Sequence, residues 1–136
     1  MASIHKDIPI DAHPDAVWAA VRDFGALHRL APGFVRDVSL DDDARQATRI
    51  VTFANGMVAR EVLVDCDDAR RRLVYAVISE RVTHYSASVQ VAADGEARSR
   101  LSWIVDLLPH DMATYIGGQM DEGALAMQQA LARNPA

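Results

Sequence analysis

Residues 110–134, HDMATYIGGQMDEGALAMQQALARN, decide the fold. Met112, Ile116, Met120, Ala124, Met127 and Leu131 recur at helical spacing and share one stripe. A long amphipathic helix must rest that stripe on an apolar surface. Upstream, residues 34–108 read as strand and turn, so the surface on offer is a sheet. If the sheet is curved, helix and sheet enclose a pocket, and the chain reads as a container for an apolar small molecule. The helix is expected to begin near His110 or Asp111, just after Pro109, and to fray at Asn134-Pro135.

Working outward, six strands are expected over 34–40, 47–54, 57–67, 72–79, 84–93 and 97–108. Turn signals separate them, the strongest being Asn55-Gly56 and Asp94-Gly95. A further strand opens the chain over residues 3–11, with Ile4, Ile8 and Ile10 on one face. Pro9 cannot donate to a ladder, which suits an edge. Pro14 then fits the first position of a short helix, PDAVWAAV, whose apolar side is Val17, Trp18 and Val21. Asp23 suits the N-cap of a second short helix over 24–30, ended by Pro32-Gly33.

Alternation assigns faces. Leu73, Tyr75 and Val77 share a face, as do Tyr85, Ala87, Val89 and Val91, and Leu101, Trp103, Val105 and Leu107. In 57–67, Val58, Arg60, Val62 and Val64 form the more apolar side, against Glu61, Leu63 and Asp65. Such a set predicts one strongly apolar sheet face under the terminal helix.

The 136 residues suffice for one core, so residues 1–136 are expected to form one domain. A net charge of -5, from 14 basic and 19 acidic residues, gives no reason to expect nucleic acid or an anionic membrane. No apolar run approaches the ~20 residues of a membrane span. The N-terminal MASIHKDIPID lacks the apolar centre of a secretory signal, which points to the cytoplasm. Cys66 is the sole cysteine, so an intrachain disulfide and a Cys-rich zinc site are excluded. His5, His13, His28, His84 and His110 show no metal-binding spacing, and no phosphate loop or nucleophile elbow is present. Neither metal nor cofactor is expected.

Strand, two short helices, six antiparallel strands and a long last helix: this order resembles the helix-grip fold of the START-like, birch-pollen-allergen-like (SRPBCC) superfamily. It looks closest to the small bacterial polyketide cyclase/dehydrase-like members. The matching residues run from Ile8, Ala12–Pro14 and Val17-Trp18, through Asp23-Phe24, Pro32, Arg60-Glu61, Asp65–Asp68 and Arg72–Tyr75, to Tyr85, Leu101–Trp103, Pro109, Gly117-Gly118 and Gly123–Leu125. The resemblance implies an α+β fold, with a curved seven-stranded antiparallel sheet wrapped around the C-terminal helix. It also implies a ligand cavity between the two.

Candidate lining residues are Val58, Arg60, Val62, Tyr75, Tyr85, Ala87, Trp103, Val105, Met112, Ile116 and Met120. Arg60 on an otherwise apolar face must find an acceptor or reach the mouth. It is either an anchor for an acidic ligand group or half of an ion pair. Tyr75 and Tyr85 either donate to a ligand carbonyl or close the core. Gly117-Gly118 either makes room at the mouth or lets helix and sheet approach closely. His28, His84, His110 and Asp106 lie at boundaries or outer faces without a readable acid–base pairing.

Three functions follow. The first is a monomeric or homodimeric binding protein for an aromatic, polyketide-like or lipid molecule. The second is a cyclase/dehydrase-type enzyme that folds its substrate and polarises carbonyls with Arg60, Tyr75 and Tyr85. Whether there is catalysis stays open. The third is a small protein-interaction factor, disfavoured because no exposed apolar stripe stands out.

Overall fold

A computed structural model describes residues 2–42 and 44–132. The elements are β1 (Ala2–Ile10), α1 (Pro14–Arg22), a 3-10 turn (Phe24–Ala26), α2 (Leu27–Leu30) and β2 (Val35–Leu40). β3 (Thr48–Phe53), β4 (Val58–Asp67), β5 (Arg72–Ile78), β6 (His84–Ala93) and β7 (Ser99–Leu108) follow. A 3-10 turn (His110–Met112) leads into α3 (Ala113–Ala132). All seven strands form one antiparallel sheet in the order β1-β7-β6-β5-β4-β3-β2. The sheet curves round α3, the helix-grip arrangement expected from the element order. The fraying expected at Asn134-Pro135 falls outside the described residues.

Alternation sends Leu101, Trp103, Val105 and Leu107 inward from β7, opposite Ile8 and Ile4 of β1. Leu73 and Tyr75 of β5 face the same side, opposite Val89 and Ala87 of β6. Met120, Met127 and Leu131 of α3 are buried against this face. Each such side chain contributes roughly 1.5–3 kcal/mol by leaving water. Lys6 pairs with Asp121 at 2.8 Å, and Gln128 donates to the Pro9 carbonyl at 3.0 Å, so α3 is also tied to edge strand β1.

α1 starts at Pro14, and the His13 imidazole accepts from the Asp15 backbone N–H. Trp18 is buried, and its indole donates to Asp68 at 2.9 Å. Arg22 also donates to Asp68, and Arg71 pairs with Asp15. The β4–β5 turn therefore clamps α1. Asp23 makes no side-chain cap, and the segment after it is a 3-10 turn plus one α-turn rather than one helix over 24–30.

One face assignment is reversed. The inward residues of β4 are Ala59, Glu61 and Leu63, not Val58, Arg60, Val62 and Val64. Val58 and Val64 are 61% and 60% exposed. The cause is the β3–β4 turn. The Phe53 N–H bonds to the Met57 carbonyl, so Ala54, Asn55 and Gly56 form a three-residue loop, with Gly56 at φ 89°. Val51 consequently faces Ala59, and Arg49 faces Glu61. A two-residue Asn-Gly turn would have slipped the register by one and placed Arg49 opposite Val62. Beyond Leu63 a bulge resets the parity, so Cys66 opposes Leu73 and is half-buried. Val58, Val64 and Ile78 are exposed apolar side chains on β4 and β5.

Candidate functional site

Between the concave sheet face and α3 lies a cavity of about 150 Å³, partly open to solvent. Leu73, Tyr75, Val77, Tyr85, Val89 and Trp103 form its sheet wall. Met112, Ile116, Met120, Gly123 and Met127 form the helix wall, and Leu27, Leu30 and Phe34 close one side. Apolar atoms dominate the lining, so displacing water from it gains about 25 cal/mol per Å² of buried apolar surface. A cavity on this order of size accommodates one aromatic ring, and the opening allows a longer molecule to extend outward.

The rim is built where three connections meet. Tyr115 at the start of α3 donates to the Met57 sulfur and lies 3.4 Å from the Asn55 amide nitrogen. Arg81, in the β5–β6 loop, reaches the same sulfur at 3.7 Å. Val58 and Arg81 are exposed while still lining the cavity.

Arg49 and Glu61 supply charge to the otherwise apolar wall. They oppose each other across β3 and β4, and Glu61 is 5% exposed. Arg49 Nε and Nη2 both lie 2.8 Å from Glu61 Oε1, and Nη1 donates to the Phe24 carbonyl at 3.1 Å. The guanidinium also sits 4.1 Å from the centre of the Phe24 ring and 5.1 Å from that of Tyr75. This cation is thus saturated by one carboxylate, one carbonyl and two ring faces. Burial holds the Glu61 carboxyl above the usual carboxylate range, although Arg49 pulls the other way. The Tyr75 hydroxyl is pushed up by burial and then by the Glu61 charge. Tyr85 is pushed well up by burial, with Tyr75 and Glu61 adding to it. Both tyrosines therefore keep their protons.

Of the residues singled out in the sequence, Tyr75, Tyr85, Trp103, Met112, Ile116 and Met120 are brought together around the cavity, with Val58 at its rim. Arg60 and Val62 do not line it, because the β4 register turns them to the outer face. There Arg60 pairs with Asp41. Ala87 and Val105 face inward but are packed in the core without bordering the cavity. His28, His84, His110 and Asp106 do not line it either, and Asp106 accepts from Ser3 on the outer face. Gly117 and Gly118 make no close approach. The close approach is at Gly123, where a Cβ would lie 3.1 Å from Phe34 and 3.2 Å from Trp103. Arg49, Glu61 and Gly123 were missed. The signal for the first two was a basic and an acidic residue equidistant from a turn centred on Asn55.

The family described as "Polyketide cyclase / dehydrase and lipid transport" matches residues 1–132. No curated protein matches the sequence. Among solved structures, the protein XoxI from Bacillus cereus superposes with a TM-score of 0.83 at 24% identity, covering 96% of each chain. A Thermobifida fusca protein gives 0.77 at 26% identity, covering 97% of this chain and 91% of its own. Truncated norcoclaurine synthase from Thalictrum flavum gives 0.73 at 19% identity, with the same two coverages of 97% and 91%. These likenesses bear on the fold. No helix among the described residues is long and apolar enough to cross a membrane.

Proposed function

The chain belongs to the polyketide cyclase/dehydrase and lipid-transport family, and from that premise we propose that residues 1–136 act as one unit that binds an apolar, ring-bearing small molecule between sheet and α3. The observation that carries this reading is the cavity itself. It is walled by aliphatic, aromatic and methionine side chains, with the buried Arg49 and Glu61 paired to each other and Arg81 at the rim. Tyr75, Tyr85, Trp103, Met112, Ile116 and Met120 are the contact residues. Methionine surfaces adapt to varied shapes. Norcoclaurine synthase, of the same fold, has been solved with dopamine and hydroxybenzaldehyde, both one-ring molecules, which agrees with a ring-sized cavity here.

The test is titration with a flavonoid and with a fluorescent fatty acid. Saturable quenching of tryptophan fluorescence, with a rise in Tm, is the expected result. Failure to take up any member of a broad apolar panel would overturn the reading.

One observation favours cyclase/dehydrase-type catalysis as a second reading. Glu61, its carboxyl held above the usual range, borders the cavity within electrostatic reach of the Tyr75 and Tyr85 hydroxyls. Carbonyl polarisation would then fall to the tyrosines, since Arg60 is outside. Turnover of a poly-β-ketone thioester, lost in Tyr75→Phe and Tyr85→Phe while binding persists, distinguishes this from binding alone.

A further inference from the structure

Two strong donors share one weak acceptor at the mouth of the cavity. Arg81 Nη1 lies 3.7 Å from the Met57 sulfur, and the Tyr115 hydroxyl donates to the same sulfur at 2.8 Å. A thioether sulfur is a poor acceptor, whereas a guanidinium presents five N–H groups. Asn55 adds its amide, 3.4 Å from the Tyr115 oxygen. Arg81, Met57 and Tyr115 all line the cavity, and Arg81 and Tyr115 are exposed. The loop that carries Arg81 is tied down on both sides. The Arg81 backbone N–H donates to Ser79 Oγ at 3.2 Å, and the Thr83 N–H bonds to the Leu108 carbonyl at 2.9 Å, at the end of β7.

The charges around the mouth leave this cation unmatched. Among the described residues, two arginines and one glutamate line the cavity. Arg49 and Glu61 are buried and paired with each other. Arg81 has no ion pair among the described residues. Glu80, next to it in the chain, neither pairs with it nor lines the cavity. Glu122 of α3 accepts from the Gln119 amide at 3.4 Å and does not line the cavity either. The lining therefore carries one surplus positive charge, at its wet end. An anion seated at the mouth keeps part of its hydration, so the desolvation cost that opposes a charge in the interior does not apply in full. Arg60, expected from the sequence as a possible anchor for an acidic group, is turned to the outer face. Arg81 stands where such an anchor can act.

Accepting the cavity as the binding site, we infer that Arg81 and Tyr115 form an anion subsite at its mouth, and that the ligand is a ring-bearing carboxylic acid bound head outward. Its ring lies against Trp103 and the methionines of α3. Its carboxylate accepts from the Arg81 guanidinium and the Tyr115 hydroxyl in place of the Met57 sulfur. The subsite ranks acids above neutral alcohols of the same skeleton, and ammonium compounds below both.

The probes are ω-phenyl acids, alcohols and amines with side chains of three, five and seven carbons, since the depth of the ring sets which length reaches the rim. Affinities are measured by NMR titration at pH 6.5, with the Arg81 Nε–H signal followed on 15N-labelled protein. At the best length the acid is expected to bind about 3- to 10-fold more tightly than the alcohol in 20 mM salt, the range between a partly exposed ion pair and a charge-assisted hydrogen bond. The advantage should shrink in 300 mM salt. The acid should also shift the Arg81 signal more than the alcohol does. Arg81→Gln should remove the acid's advantage and leave alcohol affinity within about twofold. Arg81 is exposed and makes no ion pair, so this variant keeps its fold, and the signal on the wild-type chain needs no variant. Equal binding of acid and alcohol at all three lengths overturns the subsite while the cavity reading stands. So does an acid advantage that persists in Arg81→Gln. Binding of none of the nine compounds overturns the cavity reading and the subsite with it.

Discussion

Arg49 decides the electrostatics of the cavity wall. Replacing it with Met leaves Glu61 buried without its cation, and removal of one partner of a buried pair costs about 3–5 kcal/mol. The loss depends on pH. Burial already holds the Glu61 carboxyl above its ordinary 4.5, and without Arg49 it rises further. A raised folded-state value means that the folded chain binds the proton more tightly than the unfolded one. Stability is then fully present below the unfolded value and falls as pH rises through the folded one. Arg49→Met should therefore melt closer to wild type at pH 5 than at pH 8, as thermal scans at the two pH values will show. The double variant Arg49→Met, Glu61→Leu should recover most of the loss. Arg60 was the more conspicuous arginine in the sequence because an arginine among valines draws notice. Arg49 was not, since a residue's side of a strand depends on register, and register depends on whether the turn holds two residues or three. Arg60→Ala removes only a partly exposed ion pair with Asp41. It should cost about 1 kcal/mol or less and leave ligand affinity unchanged.

In α3, glycines of one type meet opposite demands. Gly118 faces open space, so Gly118→Ala should stabilise the helix by about 1 kcal/mol through helix propensity alone. Gly123→Ala gains the same propensity but drives a methyl against two aromatic rings at 3.1 and 3.2 Å. Neither ring is a flexible chain end, and overpacking of this kind typically costs about 1–3 kcal/mol. Differential scanning calorimetry should show a higher Tm for the first variant and a lower one for the second. Only the second should weaken ligand binding, because Gly123 borders the cavity. The elements themselves were legible because their signals are local. The α3 stripe, the Pro14 start, the glycine turns and the period-two strands each depend on a few neighbouring residues. The single helix expected over 24–30 failed because Asp23 leaves the N-terminus uncapped, and Gly25 lies inside it. The roles of Gly117, Gly118 and Gly123 depend on which strand residue lies beneath each, and a single element carries no record of that.

For the whole molecule, seven strands and one long helix specify a grip, and the grip specifies a hollow. A ligand that binds only the folded state adds about 2.7 kcal/mol at one hundred times its Kd. A tight ligand should raise Tm by several degrees in wild type. Fluorescence quenching should disappear in Trp103→Phe, because the remaining Trp18 sits in α1 beside Asp68, away from the cavity lining. The sheet order carries one more consequence. β1 is an edge strand whose ladder partner is β7, with Ala2 opposite Leu107 and Ile10 opposite Ser99. Ile8 and Ile10 leave the ribosome well before the β7 backbone that will hold them, since Ile8 lies opposite Leu101 and Ile10 opposite Ser99. Closing so long a loop is entropically slow. Until β7 has been made, β1 must wait, unpaired and apolar.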